Sequence, residues 1–165
     1  MGILTLKNKN GEVVTGFPRL RKKEYGTGAF YSNDIRRPRP DYINWLQNSD
    51  RFGFDVTRLN ENGLHLSKIE LPYGTKLIRY GSATGRYTAP KGTCFEELSL
   101  PWDEQTCEYH EYVVVADRIK VICVVLKGFV APGFECIGGG IQYLHDITML
   151  QSINRGILKE VTTWK

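Results

Sequence analysis

Two apolar runs rich in β-branched residues constrain the fold most. HEYVVVA covers residues 110–116, IKVICVVLKGFVA covers residues 119–131, and Asp117 and Arg118 separate them. Valine and isoleucine favour extended backbone, and a nearly continuous apolar run is typical of a strand buried on both faces. The two runs are therefore predicted as strands in the middle of a sheet.

Shorter strand and helix signals surround these runs. LHLSKIEL (64–71), TKLIRYG (75–81) and ILKEVTTW (157–164) are predicted as strands, with a turn at Pro72-Tyr73-Gly74. One short helix is expected after Asp146 as its N-cap, with Gly156 as its end and with one apolar face formed by Ile147, Leu150 and Ile153. Because strands and helices do not alternate, a doubly wound fold is disfavoured. The pattern predicts a small α+β domain with a mainly antiparallel sheet and a few short helices.

The first 62 residues differ in charge from the rest, and we predict an N-terminal extension at 1–62 and a main domain at 63–165. Residues 1–40 hold nine Lys/Arg and three Asp/Glu, whereas the remainder holds 13 and 15. The extension is expected to contain a hairpin turning at Asn10-Gly11 and a short helix at 41–49. Aromatic residues rarely interrupt its basic segments, so a solvated leader is favoured over a nucleic-acid contact.

The remaining composition narrows the class of protein. No apolar run reaches membrane-spanning length, and the N-terminus lacks the apolar stretch of a secretory signal. The four cysteines show no CxxC pair and no histidine at zinc spacing, so no metal site is expected: Cys94, Cys107, Cys123 and Cys136. Free thiols, or two disulfides if the chain is exported, both stay open.

Three consecutive glycines at 138–140 come just before Gln142. Glycine lets the backbone approach a ligand or take positive φ, although a tight loop would explain the run equally well. In a strand the Gln142 side chain would point to the face opposite that of Ile141 and Tyr143. A pocket-facing amide can bind a ribose hydroxyl or stabilise developing positive charge. Gly139, Gly140 and Gln142 are therefore candidate ligand-binding residues.

Arg79 lies within an apolar strand, where a guanidinium needs a partner. It would either bind a phosphate in bidentate fashion or form a salt bridge to Glu96 or Glu97. Tyr80 and Tyr87 could stack on a ligand's aromatic ring, or pack in the core or at its rim.

His110 lies in a predicted strand, where a lone histidine is usually structural. Glu96 and Glu97 are adjacent, and in an extended strand their side chains would point to opposite faces, which argues against a shared catalytic carboxylate pair. Together, the arginine, tyrosines, glycines and glutamine suit a charged, ring-bearing ligand such as a dinucleotide.

The order of these motifs resembles the tuberculosis-necrotizing-toxin type of NAD glycohydrolase. The resemblance covers about Leu71 to Val161. Its motifs are Arg79-Tyr80-Gly81, Tyr87, Ala89-Pro90-Lys91-Gly92-Thr93, Phe95-Glu96, Leu100-Pro101, Tyr109-His110-Glu111-Tyr112, Ala131-Pro132, Gly138 to Tyr143 and Leu158-Lys159-Glu160.

The resemblance implies cleavage of the nicotinamide–ribose bond of NAD+, and of NADP+ as well, with the dinucleotide as substrate and no cofactor. It assigns Arg79 to the pyrophosphate, Tyr80 and Tyr87 to the nicotinamide ribose, Gln142 to the ribose and its positive charge, and His110 to bracing the site. It also implies a toxin that is secreted or delivered into a target cell, with an inhibitory immunity protein as partner.

Two positions depart from the family. Leu98 stands where many members have an arginine, for which Arg86 or Arg118 could compensate, and Gly133 replaces a usual tryptophan. These departures leave alternatives open: an ADP-ribosyl cyclase or transferase on the same site, or a dinucleotide-binding domain without turnover.

Overall fold

A computed structural model describes residues 6–14, 53–100, 103–117, 122–132 and 136–161. Seven antiparallel strands form one sheet in the order β1-β5-β6-β3-β2-β4-β7. The strands are β1 Ser67–Glu70, β2 Lys76–Tyr80, β3 Tyr87–Pro90, β4 Tyr109–Val114, β5 Val124–Phe129, β6 Ile141–His145 and β7 Leu158–Val161. A 3-10 helix at Phe95–Leu98 and the helix α1 at Met149–Asn154 complete the described elements. The α+β, mainly antiparallel prediction is confirmed.

The two apolar runs occupy interior positions, as their composition predicted. β4 pairs with β2 and β7, and β5 pairs with β1 and β6. Each of the two strands is therefore paired with a neighbouring strand on both sides, which suits their near-continuous apolar sequence.

The sheet separates two cores because side chains alternate along each strand. The back face carries Leu77, Tyr112, Val125 and Tyr143, which pack with Met149 of α1. The front face carries Ile78, Tyr80, Ala89 and Tyr109, which pack with Phe95 of the 3-10 helix. Along each strand, successive side chains lie alternately on the back face and on the front face.

Three local predictions were wrong. The N-cap of α1 is Thr148 rather than Asp146: its hydroxyl accepts from the Gln151 amide, and the Gln151 side chain accepts from the Thr148 amide. Consequently α1 buries Met149, while Leu150 is 50% exposed. Glu96 and Glu97 lie in the 3-10 helix, not in a strand: the Glu97 carboxylate accepts from the Cys94 amide at 2.9 Å, and Ser99 ends the segment in the left-handed region.

Other local features agree with the sequence. Gly156 follows α1 with a φ of 74°, the left-handed geometry that ends a helix at glycine. Residues 6–14 turn back at Gly11, with Lys7 paired antiparallel to Val13.

Strand β3 was not predicted, because only four residues separate Arg86 from Lys91 and the last is a proline.

Parts of the predicted extension contact the sheet directly. The Tyr109 amide donates to the Lys7 carbonyl at 2.8 Å, and Phe54 pairs with Val130 beyond the end of β5. Phe54 is fully buried. The helix predicted at 41–49 and the basic segments at 15–52 lie outside the described residues. Each helix in the described ranges is too short or too polar to cross a bilayer.

Candidate active site

Gln142 lies on the front face of β6, near the middle of the sheet. It pairs with Gly128 of β5 and is only 8% exposed. A Cβ built on Gly53 would lie 3.6 Å from its Nε2 atom, so the segment before β1 covers the amide closely. The register turns Ile141 and Tyr143 to the back face, as the alternation predicted. The amide is thus held at a fixed place on the front face.

The three glycines contribute close packing. The amides of Gly138, Gly139 and Gly140 donate to the carbonyls of Glu96, Val130 and Glu97, respectively. A Cβ on Gly140 would lie 3.0 Å from Glu97, and one on Gly138 would lie 2.8 Å from the 130–132 backbone. Glycine is therefore required to dock β6 against the 3-10 helix, and the three amides are already bound within the protein.

Tyr87 shares the front face with Gln142. It pairs with Leu144 in the β3–β6 register, and Leu144 lies two residues beyond Gln142 on β6. The ring is partly exposed. Burial raises the pKa of its hydroxyl, against the opposing charges of Arg86 and Arg79. The β3–β6 pairing thus places a neutral aromatic side chain diagonally next to the Gln142 amide.

Tyr80 was expected at the same ligand, but the structure buries it. It is 2% exposed, and its ring lies 5.1 Å from the Phe95 ring and 4.9 Å from the Tyr109 ring. A ring enclosed in this way serves the front-face core. The packing interpretation fits Tyr80, and the ring-stacking interpretation does not fit its burial.

Arg79 points to the back face, opposite to Tyr80 and Tyr87. Its Nε donates to the Ser82 carbonyl at 2.7 Å, and its Nη1 donates to the Tyr87 carbonyl at 3.0 Å. A Cβ on Gly85 would lie 1.9 Å from its Nη2, so the β2–β3 loop closes over the guanidinium. Desolvation lowers the pKa of Arg79. The partners seen here are backbone carbonyls, rather than the Glu96 or Glu97 carboxylate that a salt bridge would have required.

His110 lies beside Arg79 in the β2–β4 register, between two carboxylates. Its Nε2 lies 2.7 Å from a Glu108 oxygen, its Nδ1 contacts Glu160 of β7, and its ring stacks on Tyr112. Burial opposes protonation, but hydrogen bonds to Glu108 and Glu160 outweigh it and raise the pKa of His110 to about 9. This network joins β4 to β7 behind the site, a placement that agrees with bracing, which stays a prediction.

The structure also brings in residues that the sequence did not indicate. Arg58 lies 3.9 Å above the Phe129 ring and donates to the Gly139 carbonyl at 3.4 Å. His145 pairs with the Thr88 hydroxyl at 2.8 Å, and burial lowers its pKa to about 4. Arg58 precedes the segment that resembles the family, and the sequence around His145 gives no sign that this histidine would pair with Thr88.

A cavity of about 570 Å³ lies near the end of β6, and Leu144 and His145 line it together with Val125 and Ile157 of the back-face core. Arg86 and Arg155, which flank it, are exposed. Leu98, at the position of the family's arginine, is half-buried and packs on the front-face core. Arg118 and Gly133 lie outside the described residues. Within those residues the cysteines are free thiols, and no cluster of three or more metal-ligating side chains occurs.

Comparison with known sequences gives two matches. The model of the tuberculosis necrotizing toxin family matches residues 70–161, more than half of the chain. A conidial surface nicotinamide adenine dinucleotide glycohydrolase, nadA, from Aspergillus fumigatus is 34% identical over 103 residues, covering 58% of this chain and 42% of that protein. The chain thus spans less than half the length of this curated relative.

Two solved structures also match. Tuberculosis necrotizing toxin in complex with its immunity factor IFT is 18% identical, with a TM-score of 0.46 over 96% of this chain and 98% of that chain. Rhs1-CT in complex with its cognate immunity protein RhsI1 is 17% identical, with a TM-score of 0.43 over 59% of this chain and 78% of that chain. At these identities and TM-scores, neither likeness contributes to a functional conclusion.

Proposed function

The chain belongs to the tuberculosis necrotizing toxin family, and from this premise we propose that it hydrolyses the nicotinamide–ribose bond of NAD+, and of NADP+ as well. The observation that carries the proposal is the juxtaposition of Gln142 and Tyr87 on the front face, across the β3–β6 pairing. The NAD glycohydrolase name of the 34% identical relative supports the same substrate class.

The proposed reaction needs little acid–base chemistry. The C1′–N bond breaks with its electron pair moving to the pyridinium nitrogen, so nicotinamide leaves as a neutral molecule. Water attacks C1′, and its proton is released to solvent as ADP-ribose forms. The protein has to orient the dinucleotide and stabilise an oxocarbenium-like transition state. We therefore propose that no cofactor and no metal takes part.

Gln142 is the residue we assign to the transition state. Its carbonyl oxygen carries a fixed partial negative charge, and its burial keeps that dipole from reorienting. A preorganised dipole of this kind stabilises charge that develops only in the transition state. Tyr87 offers a neutral ring next to it for the nicotinamide ribose. Tyr80, being enclosed in the core, would act through packing alone, and His110 through the strands it joins.

The decisive experiment follows free nicotinamide and ADP-ribose by chromatography after incubation of the purified chain with NAD+ or NADP+. We expect Gln142→Ala to lower kcat about a hundredfold, the range found when one preorganised polar group is removed. Lys76→Gln is the matched control, because Lys76 is exposed at the far end of β2 from the loop. Intact dinucleotide at high protein concentration would contradict the hydrolase, and a cyclic product would instead indicate a cyclase.

The biological setting is part of the proposal. A member of a toxin family that consumes NAD+ would act after secretion or delivery into a target cell. The producing cell would then need an inhibitory partner protein. Co-expression with a candidate inhibitor tests this, because growth arrest by the wild-type chain should be relieved by the partner and should be absent for Gln142→Ala.

A further inference from the structure

Residues 53–58 are bound to the sheet beyond the end of β5. The Gly53 carbonyl accepts from the Ala131 amide at 3.0 Å, and Phe54 forms an antiparallel bridge with Val130. This segment precedes the part of the chain that the family model matches. Any contribution it makes to the site therefore comes from outside the matched residues.

The Phe54 ring fills the space over Gly128, where another strand residue would carry its side chain. A Cβ built on Gly128 would lie 2.5 Å from the Phe54 Cδ1 atom and 2.7 Å from the His65 carbonyl oxygen. Gly128 is the cross-strand partner of Gln142. Residues opposite each other in an antiparallel pair hold their Cβ atoms about 5 Å apart on one face of the sheet. The ring therefore lies where a side chain at position 128 would contact Gln142.

The same segment reaches the far end of the Gln142 side chain. The Nε2 atom lies 3.6 Å from the Cβ position of Gly53, so the nitrogen end of the amide faces the segment. Phe54 is fully buried and Gln142 is 8% exposed, so the ring and the amide are enclosed together. Glutamine has several rotamers, and packing of this kind holds it in one of them. A polar group that stabilises charge in a transition state depends on such support.

We infer that Phe54 is a positioning residue for Gln142 and acts through the space over Gly128. Its ring and the Gly53 backbone hold the amide in the orientation that the proposed hydrolysis requires. Because Phe54 is fully buried, it acts on Gln142 and not on the dinucleotide. The inference rests on the proposed function for the role of Gln142.

Steady-state kinetics with NAD+ test the inference first. We expect Phe54→Ala to lower kcat about tenfold and Phe54→Leu, which refills part of the space, about threefold, with KM nearly unchanged in both. A misplaced amide that acts only in the transition state lowers kcat and kcat/KM equally. Met149→Ala is the control for lost stability, because it removes a fully buried side chain from the back-face core. It should keep the wild-type kcat when all variants are assayed below their melting temperatures.

Gly128→Ala approaches the same contact from the sheet. Its added methyl group would displace the Phe54 ring, so kcat should fall as it does in Phe54→Ala. In the Phe54→Ala background the same change should lower kcat by a smaller factor, because the ring is absent. Fully additive losses would mean that the two residues act separately, and would overturn the inference.

Nuclear magnetic resonance of the Gln142 side-chain amide gives a readout that needs no turnover. Its signals are assigned by their disappearance in Gln142→Ala. We expect the order parameter of this amide to fall in Phe54→Leu and to stay at the wild-type value in Met149→Ala. Leucine keeps much of the buried volume, so Phe54→Leu carries the test if Phe54→Ala does not fold.

The two readouts separate this inference from the proposed function. If the wild-type chain does not cleave NAD+ but Phe54→Leu loosens the amide, the hydrolase proposal fails and the positioning role stands. If Gln142→Ala abolishes turnover while Phe54→Leu keeps the wild-type kcat and amide order, the positioning role is overturned and the hydrolase stands.

Discussion

The two faces of the sheet use the same strands for different purposes. On the back face, Arg79 and His110 have their polar atoms bound by carbonyls and carboxylates of the protein. On the front face, Tyr87 and Gln142 lie diagonally across the β3–β6 pairing, where Tyr87 is partly exposed. Residues adjacent in a motif therefore point to opposite faces, because side chains alternate along a strand. A short motif such as Arg79-Tyr80-Gly81 contains structural residues as well as any that contact a ligand.

We expect the largest change in stability when Tyr80 is replaced, and we compare it with the replacement of Tyr87. Tyr80→Ala should lower the free energy of unfolding by about 4 kcal/mol, because it removes a fully enclosed ring from the front-face core. Tyr87→Ala should lower it by much less, about 1 kcal/mol, because Tyr87 is partly exposed, and should lower kcat/KM for NAD+ about tenfold. Urea unfolding and steady-state kinetics measure the two quantities. Equal stability losses would show that both tyrosines are core residues.

The second prediction concerns how much the packing of α1 on the back face contributes to the free energy of unfolding. Met149→Ala should lower the free energy of unfolding by about 3 kcal/mol, because Met149 is fully buried against the sheet. Leu150→Ala, one residue along and half exposed, should change it by less than about 0.5 kcal/mol. Denaturant midpoints of the two variants give the comparison, and a larger loss for Leu150→Ala would contradict the orientation of α1.

The smallest of the three effects concerns pH. The pKa of His110 is raised to about 9 in the folded chain, above its unfolded value of about 6.5, so protonated His110 stabilises the fold. This contribution, on the order of 2 kcal/mol, is fully present below about pH 6.5 and is lost as the pH rises through about 9. Melting temperatures between pH 6 and 10 should show the decline in wild type.

The matched variant for that experiment is His110→Gln, which keeps a polar side chain between Glu108 and Glu160. It should be less stable than wild type at pH 6, and the difference should shrink towards pH 10. A constant difference across this range would mean that His110 is neutral in the folded chain.

Much of the fold could be predicted from the sequence, because apolar alternation follows the period of the strand. The interior positions of β4 and β5 and the glycine end of α1 followed from composition and local rules. The N-cap did not, because Asp146 and Thr148 are both good capping residues, and the structure shows Thr148 forming a capping box with Gln151. The strand β3 was missed because its four residues form it only by pairing with β2 and β6.

The sequence indicated candidate site residues, which stay a prediction, but it could not give their arrangement. The sequence indicated that Gln142 points away from its neighbours, yet it could not show that Tyr87 shares its face. That depends on the β3–β6 register, which joins residues 55 or more positions apart. The partners of Arg79 were equally hidden, because backbone carbonyls leave no signature in the side-chain sequence.

The position of β6 has a consequence for synthesis. Gln142 and Tyr87 meet only when β6 inserts between β5 and β3, so their pairing is non-local and follows the synthesis of β6. A nascent chain that has reached Ala131 already contains Tyr87 and five of the seven described strands, but not Gln142. A nascent chain therefore lacks the proposed catalytic pair until β6 has been made and has inserted between β5 and β3.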